Sequence, residues 1–254
     1  MKILIINPDY GMTQEEMALR CRILEEYTAP DTQLAMVCPQ NSGVELNSAL
    51  DVVLAAPEIV QLAADGQNAG FDAIVLYCFS DPVIDACREA LRIPVIDACR
   101  EALRIPVIGG AQASCLAALN VCRSFGVILA DEARLPEKKL FLRTLGVSQE
   151  RIGQISAVNL SGISPWADRE TTFKKLLACG QKMMRETHTE AIVLGCLSFL
   201  GMAEPLSRVL GIPVIDPAVA AVTTAESIVR QRLFTSKVSY PLLCSKAREI
   251  IREI

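Results

Sequence analysis

Short apolar runs alternate with longer mixed segments along the chain. The runs KILIIN at 2–7, AIVL at 73–76, FGVILA at 125–130 and AIVL at 191–194 consist mainly of apolar residues, many of them β-branched. Such runs are typical of strands that are covered on both faces. The segments between them, such as GMTQEEMALRCRILEEY and RETTFKKLLACGQKMMRE, show the spacing of amphipathic helices. This alternation predicts an α/β fold with parallel sheets and right-handed crossovers.

The two halves of the chain carry matching segments in the same order. AIVLYCFS at 73–80 and AIVLGCLS at 191–198 agree at six of eight positions, and LRIPVIGGAQAS and LGIPVIDPAVAA agree at seven of twelve. We therefore expect two similar α/β lobes, each with a parallel sheet flanked by helices, related by pseudo-two-fold symmetry around a cleft. The expected ranges are 1–119 for the first lobe, with 218–254 returning to it, and 120–217 for the second.

One segment of the first half is duplicated. VIDACREALRIP occupies 83–94 and again 95–106 without a change. The stretch from Cys78 to the Pro that opens the next strand spans 28 residues, whereas the matching stretch after Cys196 spans 17. Removing one twelve-residue copy leaves 16, so the first lobe needs only one copy.

Three arrangements can accommodate the second copy. One continuous helix would carry Pro94 in its interior, at a cost of about 3 kcal/mol. A looped-out first copy would separate the turn after Cys78 from its helix start. The third arrangement keeps 83–92 as the native helix and 105–108 as the native strand, and it enlarges the connecting loop at 93–104. We favour the third, because such loops lie at the amino ends of strands, away from ligands, and extra length costs only about 1 kcal/mol.

Composition narrows the function classes. The 254 residues carry a net charge of −4 and no basic run, which argues against binding to nucleic acid or to an anionic membrane. No apolar run approaches the roughly 18 residues of a membrane span. The opening residues MKILIINPDYG favour a first strand and a turn over a signal peptide. We expect a cytoplasmic protein and, as a separate expectation, a homo-oligomer.

The ten cysteines and single histidine do not form a metal-site pattern. There is no C-x-x-C pair, and His188 has no metal partner at a useful spacing, so we expect no metal site. With no export signal, the thiols are expected to stay reduced. Most of them behave as small buried apolar residues.

Cys78 and Cys196 form a matched pair, because each follows an AIVL strand and is followed by Ser two positions later. Open α/β sheets bind ligands at the carboxyl ends of their strands. Backbone N–H groups at a helix start bind carbonyl or carboxylate oxygens, and the same positive end lowers the pKa of a thiol. The backbone donors expected here belong to four residues, Phe79, Ser80, Leu197 and Ser198.

A matched pair of thiols is suited to one class of reaction, racemisation. Racemisation needs a base on one face of a carbon and an acid on the other, and each group must serve in either role. Cys78 and Cys196 meet this requirement if one is ionised and the other protonated, while the backbone donors hold the developing enolate. The alternative is that both cysteines are only buried strand ends.

Other candidates each have two interpretations. Asn7, after the first strand, binds substrate or caps its turn. Ser114 reaches the substrate or caps a helix. The loop 38–45 lines the side-chain pocket or is an ordinary surface loop. Trp166 covers the cleft or packs in the core. His188 is expected at the surface.

These motifs resemble those of the aspartate/glutamate/hydantoin racemase superfamily, and within it the hydantoin racemase branch. The likeness covers nearly the whole chain and includes ILIINPD, CPQNSGVE, GFDAIVLYCFSDP, IPVIGGAQAS, EAIVLGCLSFLG and IPVIDPAVAA. The resemblance implies a cofactor-independent isomerase in which Cys78 and Cys196 transfer protons at a site between two lobes.

The sequence departs from one branch of that superfamily. Glutamate racemases commonly carry Thr-His after the second cysteine, and this chain has Leu197-Ser198. Ser80-Asp81-Pro82 also fits the hydantoin branch better. A 5-substituted hydantoin or allantoin is therefore the preferred substrate. The alternatives are an aspartate/glutamate-type amino-acid racemase and a non-catalytic small-molecule binding protein.

Overall fold

The computed structural model describes residues 1–90, 105–160 and 164–241. The enlarged loop expected at 93–104 lies outside these ranges. The chain divides into two compact units, Met1–Gly109 with Ala221–Ile254, and Gly110–Ala220.

The first unit is built on a parallel sheet with the described strand order β2-β1-β3-β4. Its apolar runs form the strands as predicted, and β1 and β3 are buried almost throughout. The strands are β1 Lys2–Ile6, β2 Gln33–Val37, β3 Ala73–Leu76 and β4 Val107–Gly109, and the helices are α1 Gln14–Glu25, α2 Ala49–Asn68 and α3 Ile84–Ala90.

The second unit repeats this order with the described strands β6-β5-β7-β8. Its strands are β5 Phe125–Leu129, β6 Ile152–Ala157, β7 Ile192–Leu194 and β8 Val214–Ile215. Its helices are α4 Gly110–Leu119, α5 Leu135–Thr144, α6 Arg169–Thr187 and α7 Ala203–Leu210, and α8, Pro217–Arg230, begins here and continues in the first unit. The predicted α/β fold with two parallel sheets flanked by helices is confirmed.

The unit boundary falls earlier than the expected end of the first lobe. The sequence pattern places residues up to 119 in that lobe, whereas α4, Gly110–Leu119, is grouped with the second unit. The reason is packing, because α4 lies against β7 and β8.

The last described helix returns to the first unit. The Glu226 carboxylate accepts hydrogen bonds from the Thr32 hydroxyl (2.5 Å) and the Ala29 N–H (3.1 Å). Arg230, one turn later, pairs with Asp31 at 2.7 Å. These interactions hold the end of α8 against the loop that precedes β2.

Local signals account for where the main helices start and end. Thr13 and Glu16 form a capping box at the start of α1, and Asp168 caps α6 by accepting the Thr171 N–H. His188 ends α6 with a φ of 50°, and its side chain is exposed, as predicted. None of the helices in the described ranges has the length and apolar content needed to cross a membrane.

The first copy of the duplicated segment forms α3. The helix begins at Ile84, and Cys87 on its inner face is fully buried in a core cluster with residues of α2 and β3. The native helix therefore comes from the first copy, as the preferred arrangement requires. The second copy, up to residue 104, lies outside the described ranges.

Candidate active site

Cys78 and Cys196 occupy matching places in the two sheets. Each lies two residues after an inner strand, Cys78 after β3 and Cys196 after β7. The intervening residue extends the pairing in both cases, because the Tyr77 N–H donates to the last carbonyl of β1 at 2.8 Å and the Gly195 N–H donates to a carbonyl of β5 at 2.7 Å. Both cysteines are half-buried. The thiols thus lie at the carboxyl ends of their strands, where ligands bind in such sheets.

After each cysteine the chain turns and forms a hydrogen bond back to the cysteine carbonyl. The Asp81 N–H donates to the Cys78 carbonyl at 3.2 Å, and the Phe199 N–H donates to the Cys196 carbonyl at 3.1 Å. In the second unit this bond closes a 3₁₀ turn over Leu197–Phe199. We call the stretches 78–83 and 196–201 the two cysteine turns.

Both cysteine turns end in the same unusual conformation. Five residues after the cysteine, Val83 has a φ of 51° and Gly201 a φ of 80°. Glycine adopts this left-handed region freely, whereas a β-branched residue is strained there. The two turns thus share a left-handed residue at this position although the residue types differ, and the first turn has a second one at Asp81 (φ 43°).

Each cysteine turn presents amide donors next to its thiol. In the part of the chain that the structure describes, the amide N–H groups of Phe79 and Ser198 donate no hydrogen bond to the protein. The side chains of Phe79 and Leu197 are buried, which fixes the first peptide of each turn. Backbone N–H groups of this kind can stabilise the oxygen of an enolate.

The remaining described cysteines are suited to packing rather than to chemistry. Burial raises the pKa of Cys87 to about 12 and that of Cys21 to about 11, the latter with a further contribution from Glu25. Cys115 is fully buried in α4, and burial also raises the pKa of Cys179. Burial thus favours the protonated thiols of Cys21, Cys87 and Cys179. Among the described residues, no group of three or more His, Cys, Asp or Glu side chains could hold a metal ion.

A buried carboxylate anchors the second cysteine turn, and sequence reasoning missed it. One Asp216 oxygen accepts the Gly201 N–H at 2.9 Å, and the other accepts the Ala218 N–H at 2.9 Å. Burial raises the pKa of Asp216, and these backbone bonds and the Arg169 charge act in the opposite direction. The missed signal is Asp-Pro at a strand-to-helix junction, since Asp favours the N-cap and Pro the first helical position.

Arg169 contacts the same turn from α6. Its guanidinium donates to the Leu200 carbonyl at 3.0 Å and stacks over the Trp166 ring, 4.8 Å from the ring centre. Trp166 is half-buried and thus supports an arginine that holds the second cysteine turn. A direct role of Trp166 as a lid stays a prediction.

In the first unit, a different aspartate places a carboxyl group beside the end of the following strand. The position of Asp216 is taken by Gly109 in the aligned segments. A side chain at Gly109 would overlap the carboxyl group of Asp81, which is buried and has a φ of 43°. The buried carboxyl group thus comes from the cysteine turn itself in the first unit and from the strand end in the second.

Asn7 and Ser114 have local partners. The Asn7 side-chain amide donates to the Asp9 carbonyl at 3.2 Å, and the residue is buried, which favours the turn-capping interpretation. Ser114 is the fifth residue of α4, so it is not a helix cap, and its fully buried hydroxyl donates to the Gly110 carbonyl at 2.8 Å. Contact of either side chain with substrate stays a prediction.

The loop 38–45 is anchored by α2. The Glu58 carboxylate accepts hydrogen bonds from three successive backbone N–H groups, those of Gln40, Asn41 and Ser42, at 2.6 to 3.2 Å. A loop held in this way has a defined conformation at the carboxyl end of β2, beside the end of β1. Its role in lining a substrate pocket stays a prediction.

Known proteins resemble this chain along most of its length. The Asp/Glu/Hydantoin racemase family model matches residues 3–98 and 94–225, two segments that overlap at the start of the second copy. A hydantoin racemase of Pseudomonas sp. (strain NS671) is 31% identical over 241 residues, covering 94% of this chain and 90% of the relative. A hydantoin racemase of Rhizobium meliloti is 27% identical over 250 residues, covering 97% and 98%. Among solved structures, an allantoin racemase from Klebsiella pneumoniae superimposes with a TM-score of 0.79 at 27% identity, covering 93% of this chain and 90% of that one.

Proposed function

The chain belongs to the Asp/Glu/hydantoin racemase family, and on that premise we propose that it is a cofactor-independent racemase of a 5-substituted hydantoin or of allantoin. Family membership confirms the resemblance inferred from the cysteine motifs. The observation that carries the proposal is the matched pair of half-buried cysteines, Cys78 and Cys196. Each lies at the carboxyl end of an inner strand, and its carbonyl accepts the N–H of the third following residue.

Two thiols are sufficient for the proton transfers. One cysteine, as its thiolate, removes the proton from the ring carbon on its own face and becomes a thiol. The C–H electron pair moves into the adjacent carbonyl and forms an enolate. The other cysteine, as its thiol, donates a proton to the opposite face of that carbon and becomes a thiolate. The net change is inversion, and the two thiols have exchanged their protonation states.

Backbone donors support the intermediate. Phe79 directly follows Cys78, and Ser198 lies two residues after Cys196. In the described ranges, the N–H groups of these two residues donate no hydrogen bond to the protein. Preorganised donors stabilise an enolate oxygen more than the neutral carbonyl, so they act mainly on the transition state. The amides of Ser80 and Leu197 are proposed to share this role.

A neutral ring fits this chain better than a free dicarboxylic amino acid. Leu197 and Ser198 follow the second cysteine, so this chain lacks the Thr-His pair found in glutamate racemases. The single histidine, His188, lies exposed at the end of α6, before the amino end of β7, whereas Cys196 follows the carboxyl end of that strand. The ring carbon of a hydantoin is also more acidic than that of a free amino acid, which reduces the demand on a thiolate. The relatives named hydantoin racemase and allantoin racemase support this class of substrate.

The test compares substrates in deuterium oxide. Each enantiomer of a 5-monosubstituted hydantoin, of allantoin, of aspartate and of glutamate is incubated with the protein, and optical rotation and deuterium incorporation are followed together. Parallel samples without protein correct for spontaneous exchange of the ring proton. We expect deuterium incorporation with loss of rotation for a ring substrate. Faster racemisation of aspartate or glutamate than of every ring tested would contradict the proposal.

A further inference from the structure

Each cysteine turn is accompanied by one buried carboxyl group, and the two units supply it from different elements. We propose three positioning residues. Asp216 and Arg169 fix the turn that carries Cys196, and Asp81 fixes the turn that carries Cys78. This inference rests on the proposed function only for its effect on turnover, because the positions of the two thiols can be measured without a substrate.

In the second unit, the two residues hold opposite ends of one peptide group. The Leu200 carbonyl accepts from Arg169 at 3.0 Å, and the Gly201 N–H of the same peptide bond donates to Asp216 at 2.9 Å. Arg169 also acts electrostatically on the Asp216 carboxylate. We call Arg169 and Asp216 the peptide clamp. It fixes the plane of the Leu200–Gly201 peptide, which is where the chain leaves the cysteine turn.

The clamp also connects that turn to a helix. The second oxygen of Asp216 accepts the N–H groups of Ala218 and Val219, at 2.9 and 3.4 Å, in the first turn of α8. The first N–H groups of a helix have no partner within the helix. Asp216 accepts two of them as well as the Gly201 N–H, so one carboxylate ties the turn of Cys196 to the start of α8.

In the first unit, the carboxyl group belongs to the turn. Asp81 donates its own N–H to the Cys78 carbonyl, and its carboxyl group fills the space beside Gly109 at the end of β4. Gly109 aligns with Asp216, and Val83 aligns with Gly201. A carboxyl group thus lies between the cysteine turn and the following strand end in both units, although the two aspartates are not at equivalent positions.

The first experiment separates the clamp from simple helix capping. Asp216→Asn keeps the shape and one carbonyl acceptor, so either Gly201 or Ala218 faces an NH₂ group in place of an oxygen. We expect kcat for racemisation to fall by roughly 10- to 100-fold with a smaller change in KM, because misplacing a reacting group costs rate more than binding. The matched control is Asp72→Asn, because the Asp72 carboxylate also accepts a backbone N–H, that of Lys2 at 2.7 Å, but at the amino ends of β1 and β3, the end of the sheet opposite the cysteine turn.

A second readout uses no substrate. Iodoacetamide labelling of the folded protein, mapped by peptide mass spectrometry, gives separate rates for Cys78 and Cys196. Asp216→Asn is expected to change the Cys196 rate at least about threefold and to leave the Cys78 rate within that margin. Equal changes at both thiols, or none, would overturn the clamp. If the unaltered protein racemises no hydantoin, the proposed function fails, and the labelling result still decides on the clamp.

The last experiment moves the carboxyl group within the first unit. Gly109→Asp alone places two carboxyl groups in one buried space and is expected to reduce soluble, active protein strongly. Asp81→Ala with Gly109→Asp reproduces the arrangement of the second unit. We expect the double variant to melt at a higher temperature and to show roughly tenfold more activity than Gly109→Asp alone, because the two positions are coupled. A double variant no better than the single one would overturn the inference for the first unit.

Discussion

The two cysteine turns share part of their backbone path, although Asp81 in the first is left-handed (φ 43°) where Phe199 in the second belongs to a 3₁₀ helix. The cysteine, the hydrogen bond back to its carbonyl and the left-handed residue at the fifth following position are common to both. The side chains that stabilise the path differ, since Asp81 aligns with Phe199 and Val83 with Gly201. What is kept is therefore the placement of the thiol and its neighbouring amides, which is what a reaction with two mirror-image directions requires.

The residue before each cysteine also differs between the two units. Tyr77 is buried in the first unit, whereas a Cβ at Gly195 would lie 2.9 Å from the Ile128 carbonyl oxygen and overlap the Leu129 side chain. By strand register, Leu129 occupies the place of Asn7 in the first unit. The two units thus have side chains of different size at two neighbouring positions, whereas the following cysteine lies at the same strand end in both.

The largest expected effect comes from removing either thiol. Cys78→Ala and Cys196→Ala should each lower the racemisation rate by roughly 10²- to 10⁴-fold, because one proton transfer loses its acid or base. Chiral chromatography of the product measures this rate. The control is Cys122→Ala, which alters another half-buried cysteine that donates to the Ala118 carbonyl. A variant at Cys78 or Cys196 that racemised as fast as the control would break the equivalence of the two turns.

A smaller effect, on stability, is expected from adding a side chain at Gly195. Gly195→Ala should lower the free energy of unfolding by about 1–3 kcal/mol, because the added methyl meets a backbone oxygen that cannot move cheaply. Gly153→Ala is the matched control in the same sheet, since the nearest heavy atom to its Cβ would be 3.9 Å away. Urea denaturation of both variants measures the difference. Equal stability of the two would show that the second turn is not packed as tightly as described.

Substitutions at the left-handed residue that ends each cysteine turn are expected to change the free energy of unfolding still less. Gly201→Val should lower the free energy of unfolding by about 1–2 kcal/mol, the cost of this conformation for a residue with a Cβ. Val83→Gly should change it less, because the relief of strain is offset by lost packing against the core next to Val83. Thermal melts of the two variants check this order. A larger loss for Val83→Gly would mean that packing, and not backbone conformation, dominates at this position.

The smallest effect concerns alkaline pH. Burial raises the pKa of Cys87 to about 12, above its ordinary value of 9.0, so the folded state keeps this proton longer than the unfolded state does. Its contribution to stability is full below pH 9.0 and is lost as the pH rises towards 12. Cys87→Ala should therefore have a flatter decline of stability above pH 9.0 than the unaltered protein. Parallel declines, measured by urea denaturation across this range, would contradict the assignment of Cys87 as a buried protonated thiol.

The fold was largely predictable because its inner strands are continuous apolar runs. The run at 73–76 and the one that gives β7 were both placed correctly, and the repeat identified Cys78 and Cys196 as a pair. Strand β6 was missed, since it is an edge strand with few fully apolar positions. Asp216 was also missed. Its Asp-Pro sequence marks the start of a helix, but no local pattern encodes its hydrogen bond to Gly201, fifteen positions away.

Deuterium exchange by the two single-cysteine variants tests the central claim most directly. Each enantiomer of one hydantoin is incubated separately with Cys78→Ala and with Cys196→Ala in deuterium oxide, and the ring proton and the enantiomeric ratio are measured. The account predicts that each variant exchanges the ring proton of one enantiomer without inverting it, and that the two variants select opposite enantiomers. Exchange of the same enantiomer by both variants, or full racemisation by either, would contradict it.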